Sequence, residues 1–335
     1  MPAALLNAHG LREITLADKP VFDRCFRQCP APLSDYTFAN TFIWREPIHL
    51  RWRISRDCLC VFANGDGGLT LLFPPLGQGD SADALRESLD LCQAYNVAAR
   101  YDPPTRVEYV SAGLLRRFPP NYCAHPMSGD YVYATRRMIE LDGSDLASKR
   151  KARNRFARLC QAHTEPLQPR HVAACLELLK TWHAQAEASP PAAQDATVRL
   201  KRAKEETATR TALLHAVPLG LTGMVLYAGD QFAGFTLGEM LDAETCSILI
   251  EKTDRRFKGA AQYIFSEFCR QYWAHTQWCN VGDDWEIPSL AWTKESYRPS
   301  ARREKWTLQP TATPIGLRCF TRVPASTEND MSLVH

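Results

Sequence analysis

Residues 222–228 (TGMVLYA), 232–239 (FAGFTLGE) and 244–251 (ETCSILIE) are three short apolar runs, with Gly229-Asp230 as a turn between the first two. Runs of this length, bounded by turn residues, read as consecutive antiparallel strands. The third continues through Lys252 into the turn TDRRFKG, and a helix follows from Gly259 to about Trp273. Ala261, Ile264, Phe265, Phe268 and Tyr272 recur along it at helical spacing. A meander that feeds its last strand directly into a helix leaves few options. The chain is expected to be α+β, built on a mixed, largely antiparallel sheet flanked by helices.

The remaining segments fit that class. Residues 16–29 read as a helix with Leu16, Val21, Phe22, Cys25, Phe26 and Cys29 as its apolar stripe. Helices are also expected at 82–95, 145–160, 171–187 and 199–215. Strands are expected at 48–54, 58–63, 69–73, 106–111, 130–135, 277–281 and 303–309, with Arg56-Asp57 as a hairpin turn. Within 34–45, Tyr36, Phe38, Phe42 and Trp44 read as alternating residues that fill the first core, and Asp35 and Tyr36 are secondary candidates for substrate contact. A chain of 335 residues suits two units of similar size. The expected division is 1–140 and 141–321, with a loop at 188–197 and a frayed tail at 322–335. The likeness of the halves is one of architecture, without a sequence repeat.

Several classes are excluded. No stretch approaches the roughly 18 uninterrupted apolar residues of a membrane helix. The start, MPAALLNAHGLREITL, lacks the basic and apolar regions of a secretory signal, so the expected compartment is the cytoplasm. The twelve cysteines are scattered with no C-x-x-C pair, and read as reduced, mostly buried thiols. His163, His171 and His183 have no metal-ligand spacing, and no metal is expected. No P-loop, dinucleotide fingerprint or Ser-His-Asp arrangement is legible.

Two positive features remain. Arg256, Gly259 and Ala261 follow the spacing R-x-x-G-x-A at the start of the helix, with Ala260 between the small residues and Arg255 and Lys258 adding charge. A helix N-terminus carries unpaired N–H groups and the positive end of the dipole, and small residues let a phosphate approach. The same pattern also suits an ordinary helix start behind a solvated basic turn. The second feature is KRKARNRFAR at 149–158, six basic residues and no acidic one. On a helix, Arg150, Lys151, Asn154, Arg155 and Arg158 share one stripe, while Ala152, Phe156, Leu159 and Cys160 lie nearer the other side. Like charges so spaced repel unless an anion neutralises them, and nucleic acid is the natural candidate. Ion pairs to acidic loops would serve as well.

The R-x-x-G-x-A turn resembles the acyl-coenzyme A loop of the GNAT superfamily. A larger ordered set of segments resembles the C-terminal domain of phosphatidylglycerol lysyltransferases and its soluble relatives. These are PLSDYTFANTFIWR (32–45), FPPLG (73–77), DYVY (130–133), KRKARNRF (149–156), FTLGEML (235–241), IEKTDRRFKGAAQYI (250–264) and TKESYRP (293–299). The resemblance implies two tandem GNAT-like domains. It also implies an aminoacyl-tRNA-dependent transferase, related in logic to the Fem aminoacyltransferases, in which an acceptor amine or hydroxyl attacks the ester joining an amino acid to tRNA. After the helix the family carries an Asn-Arg-Glu run and then Asp-Leu-Gly. This chain has Asn280-Val281-Gly282 and then Asp283-Asp284-Trp285-Glu286, without the Arg-Glu pair.

On that basis the catalytic candidates are Asp283 first, then Glu251, Lys252, Lys294 and Tyr297. Glu239 and Asp284 are further carboxylates near the expected site. Arg255, Arg256, Lys258, Gly259, Ala260 and Ala261 are assigned to the substrate phosphate. Backbone N–H groups near Ile250 to Lys252 would polarise the carbonyl. Lys149, Arg150, Lys151, Arg153, Asn154, Arg155 and Arg158 are assigned to tRNA. The implied partners are aminoacyl-tRNA as donor substrate, with no separate cofactor, and a soluble small-molecule or peptide acceptor. Peripheral membrane contact stays open, and the oligomeric state is not legible. Two other readings stand beside this one: an N-acyltransferase using acetyl-CoA or another acyl-CoA, and a non-catalytic relative that binds RNA or protein.

Overall fold

The meander lies inside a much wider sheet. A computed structural model of the chain describes residues 6–7, 9–29, 33–65, 67–101, 105–118, 121–187 and 195–311. The expected tail at 322–335 and most of the loop at 188–197 lie outside the described residues. The first half runs α1 (Lys19–Phe26), α2 (Phe38–Trp44), β1 (Leu50–Ser55), β2 (Cys58–Gly65), β3 (Gly68–Leu71), β4 (Leu76–Gly77), α3 (Ser81–Ala98), β5 (Val107–Ser111), α4 (Ala112–Leu115), β6 (Tyr122–Ala134) and α5 (Thr135–Glu140). The second runs α6 (Ala147–Leu159), β7 (Ala162–Pro166), α7 (Val172–Glu187), α8 (Ala196–Leu219), β8 (Thr222–Ala228), β9 (Gln231–Met240), β10 (Thr245–Thr253), α9 (Ala260–Tyr272), β11 (Trp278–Asn280), α10 (Pro288–Glu295) and β12 (Ala301–Pro310).

The strands form one mixed sheet, ordered β1-β2-β3-β5-β12-β6-β11-β10-β9-β8-β7, with β4 on β2. Only β3–β5 and β10–β11 pair in parallel. The strands of both halves therefore share a single sheet, and β12 enters between β5 and β6 of the first half. Two apolar clusters cover it. Val225, Phe235 and Leu237 belong to one, while Met224, Leu226 and Cys246 belong to the other. Strands covered on both faces read as continuous apolar runs, which is why the meander was so visible in sequence.

Local chemistry explains the turns. Arg56 and Asp57 both take positive φ, 50° and 58°, as a two-residue hairpin between register partners Ser55 and Cys58 requires. The segment 34–45 does not alternate. Thr37 caps α2 by accepting from the Asn40 N–H at 3.0 Å, and helical spacing places Phe38 and Phe42 in the core. Helix α9 is turned from its expected face. Ala260, Ser266 and Cys269 are buried with Ile264, Phe265 and Phe268, whereas Ala261 and Tyr272 are half-buried. The helix packs on the sheet and also against α5 and α6, so two sides are covered. β6 extends eight residues before its expected start at 130, through polar, partly exposed positions that pair with β12.

The centre of the sheet holds a buried charge cluster. Lys305 on β12 is 1% exposed, and its ammonium lies 2.5 Å from Asp35, 2.7 Å from Asp130 and 2.8 Å from Asp283. Asp130 also accepts from the Ser34 N–H at 2.7 Å and from Asn280 at 2.9 Å. These bonds and Lys305 hold its carboxyl below the usual range against the opposing effect of burial, the largest single influence on it. One cation thus joins β12, β6, the segment before α2 and the loop after β11. Gly259 is a second pinned point. Its φ is +97°, and a Cβ there would meet the Ala152 carbonyl oxygen at 2.4 Å and the Phe156 Cβ at 2.9 Å.

Two variants test these joints. Lys305→Met strands three carboxylates and is expected to lower stability by about 3–5 kcal/mol, read from the urea midpoint. Gly259→Ala adds backbone strain and overpacking against α6, and should cost about 3 kcal/mol in the same assay. An unchanged midpoint in either variant would contradict the corresponding contact.

Candidate functional site

β10 and β11 pair only from Thr245–Trp278 to Ser247–Asn280. Beyond that point β10 stays with β9 as far as Thr253, while residues 281–282 exchange backbone bonds with Tyr131 on β6. The two strands part, and a cleft of about 610 Å³ opens between them. A crevice outside the carboxyl ends of neighbouring parallel strands is where α/β sheets bind ligands. β10 also carries a bulge. Ile248 faces Gly238 and Ile250 faces Leu237, so Leu249 is an extra residue without a ladder partner, and it lines the cleft. This irregularity falls at the edge of the 250–252 stretch expected to polarise a carbonyl.

The cleft brings together Glu251, Lys252, Asp283, Lys294 and Tyr297, the whole set of catalytic candidates. Their immediate partners refine what each can do. Glu251 is half-buried, and no described residue hydrogen-bonds to its carboxyl. Burial pushes its pKa up to about 8, opposed by Lys252. Lys252 is 2.6 Å from Glu205 and stands 4.0 Å over the Trp182 ring. Asp283 is committed to Lys305 through one oxygen and accepts from the Trp285 N–H at 3.0 Å through the other. Lys294 donates to the carbonyls of Val281 at 2.6 Å, Gly282 at 3.2 Å and Asp283. It is a clamp on the loop at 281–283, and burial lowers its pKa to about 8. Tyr297 is buried against Phe265, with the Lys149 ammonium 4.6 Å over its ring. Burial raises its pKa, which favours a neutral hydroxyl. Glu239 is outside the cleft lining: it accepts from Thr37 at 2.6 Å across the α2–β9 contact. Asp284 likewise turns away, accepting from the Tyr131 hydroxyl at 2.7 Å.

The phosphate candidates divide. Arg255 and Ala261 line the cleft, together with Gln262 in the first turn of α9. Arg256 is exposed and folds back on Asp254 at 2.6 Å. Lys258 is exposed and Ala260 is buried. The smallness of Gly259 serves the packing of α6, since the Ala152 carbonyl oxygen lies only 2.4 Å from where a Cβ would stand. The basic helix divides too. Arg150 donates to the carbonyls of Leu141 at 2.5 Å and Gly143 at 3.1 Å, and Arg153 to Ile139 at 2.8 Å and Ser266 at 3.0 Å. These two arginines fasten α6 to its neighbours. Lys151, Asn154, Arg155 and Arg158 remain exposed, as does Leu159, which was expected on the packed side. Lys149 is half-buried beside Tyr297.

Sequence patterns missed several cleft residues. Trp182, Arg202 and Glu205 come from α7 and α8, where nothing marks them as inward, and Trp285 has no motif around it. Trp285 and Trp44 meet edge to face at 5.1 Å. A smaller cavity of about 280 Å³ shares Asp35, Asn40, Trp44, Asp283 and Trp285 with the cleft. Lys201 and Lys204 border it, Lys201 donating to the Trp285 carbonyl at 2.6 Å. Among the described residues no group of side chains has metal-ligand geometry, the described cysteines are free thiols, and no helix is long and apolar enough to cross a membrane.

Known proteins share this fold. A conserved protein of unknown function from Bacteroides thetaiotaomicron VPI-5482 superposes with a TM-score of 0.77 at 23% identity, over 90% of this chain and 99% of that one. L-PGS from Bacillus licheniformis superposes with a TM-score of 0.59 at 15% identity, over 91% and 94%. At such identities the likeness is one of fold. An uncharacterized protein of Mycoplasmoides gallisepticum is 28% identical over 179 residues, so that the match spans about half of each chain. The family model described as phosphatidylglycerol lysyltransferase, C-terminal, matches residues 26–309. By that match the chain belongs to the phosphatidylglycerol lysyltransferase C-terminal family.

Proposed function

We propose that this protein transfers an aminoacyl group from aminoacyl-tRNA to an amine or hydroxyl of a soluble acceptor. The observation that carries the reading is the cleft between β10 and β11, which has a cationic end and opens beside a second cavity. At the cationic end stand Arg255, Arg202 and the start of α9. Such an end suits the phosphate of a terminal nucleotide. The aminoacyl ester would lie along the bulge at Leu249, where peptide groups released from the ladder can polarise its carbonyl. The acceptor would enter from the smaller cavity past Trp44 and Trp285. Family membership and the superposition on a protein titled L-PGS support the aminoacyl chemistry. The tandem GNAT-like reading belongs with this proposal, as two halves whose sheets have merged through β12.

The basic helix supports a nucleic-acid donor. Lys151, Arg155 and Arg158 are exposed on α6, the helix packed against α9, and the exposed Trp292 of α10 has the Lys149 ammonium 5.8 Å from its ring centre. Ser289, Leu290 and Thr293 of the same helix line the cleft, so Trp292 stands at its lip. A tryptophan so placed can stack a base. The acyl-CoA reading is less well served, because Arg256, which opens the R-x-x-G-x-A spacing, is engaged by Asp254, and the smallness of Gly259 is accounted for by its packing against α6.

Incubation with total charged tRNA and a small amine acceptor should discharge at least one aminoacyl-tRNA and yield the aminoacyl amide. Folded protein that discharges none, or that binds acetyl-CoA in calorimetry through Arg256, overturns the proposal. Trp292→Ala should weaken tRNA binding by about 1–3 kcal/mol, read as a raised KM for charged tRNA with kcat preserved.

A further inference from the structure

We propose that Asp35 is the proton acceptor for the attacking group, an assignment that rests on the aminoacyl-transfer reading. Three carboxylates share the single ammonium of Lys305, at 2.5, 2.7 and 2.8 Å, so the cluster carries excess negative charge. They differ in what their other oxygens do. Asp130 is fully buried and gives its second oxygen to the Ser34 N–H and to Asn280. Asp283 gives its second oxygen to the Trp285 N–H. Asp35 points Oδ2 at Lys305, and no described residue donates to its Oδ1. Its side chain is 16% exposed, against 0% for Asp130 and 8% for Asp283. Asp35 also borders both the cleft and the smaller cavity. A nucleophile crossing from one to the other passes a carboxylate oxygen that no described protein group engages.

The surroundings of Asp35 set its proton affinity. Lys305 of β12, Asp130 of β6 and Asp283 after β11 face it, with Tyr109 of β5 placed 5.4 Å from the Lys305 ammonium. Lys294 lies behind Asp283, and Lys201 and Lys204 border the smaller cavity. Burial, followed by repulsion from Asp130 and Asp283, raises the Asp35 pKa to about 7 against the pull of Lys305. The carboxylate is therefore the prevailing form above about 7 and is lost below it. In the reaction the acceptor nitrogen or oxygen forms a bond to the ester carbonyl carbon as its proton passes to Asp35 Oδ1. The bond from that carbon to the ribose oxygen then breaks, and the proton is returned to the ribose hydroxyl.

The test compares two nucleophiles with total charged tRNA and the full-length protein. Rates are compared per unprotonated amine and above the enzyme-free discharge: the free base of ethanolamine gives up an N–H proton as it attacks and gains from a base, whereas hydroxylamine is nucleophilic enough to attack an aminoacyl ester without one. Wild-type transfer to ethanolamine should fall as pH drops through about 7. D35N should lose roughly 10²- to 10⁴-fold in ethanolamine transfer, together with that pH limb, while retaining hydroxylamine-dependent discharge. D35E, which keeps a carboxylate, should restore part of the rate and show a displaced limb, so the assignment remains testable if D35N does not fold. An unchanged ethanolamine profile in D35N overturns the assignment alone. So does equal loss with both nucleophiles in a folded D35N, or a D35E profile with no acid limb. Wild-type protein that discharges no tRNA overturns the transferase reading and this assignment with it.

Discussion

The ammonium of Lys305 is the point on which four distant parts of the chain converge. Without it, Asp35, Asp130 and Asp283 would have to be neutralised or hydrated in the middle of the sheet. With it, β12 is tied to β6, the segment before α2 is drawn onto the sheet, and the loop after β11 is fixed where the cleft needs it. Buried ion pairs are often neutral for stability against apolar replacements, and their better-attested role is to specify one arrangement. Here the arrangement specified is the junction between two cavities. Two of the carboxylates that hold this junction, Asp35 and Asp283, also line both cavities.

Much of the fold was legible because it obeys simple periodicities. The meander at 222–251 reads as apolar runs since both faces of β8 to β10 are covered. The hairpin at Arg56-Asp57 follows from turn chemistry. The segment at 34–45 misled because Tyr36, Phe38, Phe42 and Trp44 fit a period of two by number, while the Thr37 cap and the Phe38–Phe42 spacing belong to a helix. The short helices α5 and α10 and the edge strand β7 carry too few apolar residues to register as elements. Their positions depend on contacts made across the sheet.

The candidate site was legible as a region and less so as a set of roles. The residues around 250–262 and 283–297 do meet in one cleft. What sequence could not convey is which charged group is already engaged. Lys252 looks free in IEKTD, but its partner Glu205 comes from α8, far away in the chain. Arg153 and Arg155 are two residues apart in a basic run, yet one fastens α6 to α5 and α9 while the other faces solvent. Lys305 ends the charged run Arg302-Arg303-Glu304-Lys305, and only the topology places it beside three aspartates. Spacing reports what a residue can reach within its own element, whereas its chemistry is decided by partners from other elements.

The place of β12 in the sheet bears on how the chain is made. This strand is translated after every other described strand, yet it is inserted between β5 and β6 near the middle of the order. Until residues 301–310 emerge, the first half presents two unsatisfied strand edges, and Asp130 lacks its cation. A nascent chain of this topology cannot finish its first half and then append a second. It must keep a gap open until residues 301–310 have been made, which exposes it to mispairing and chaperone capture during that interval. The assembled cleft and the adjoining cavity share Asp35 and Asp283, so both gain their anchored wall only when Lys305 of β12 is in place.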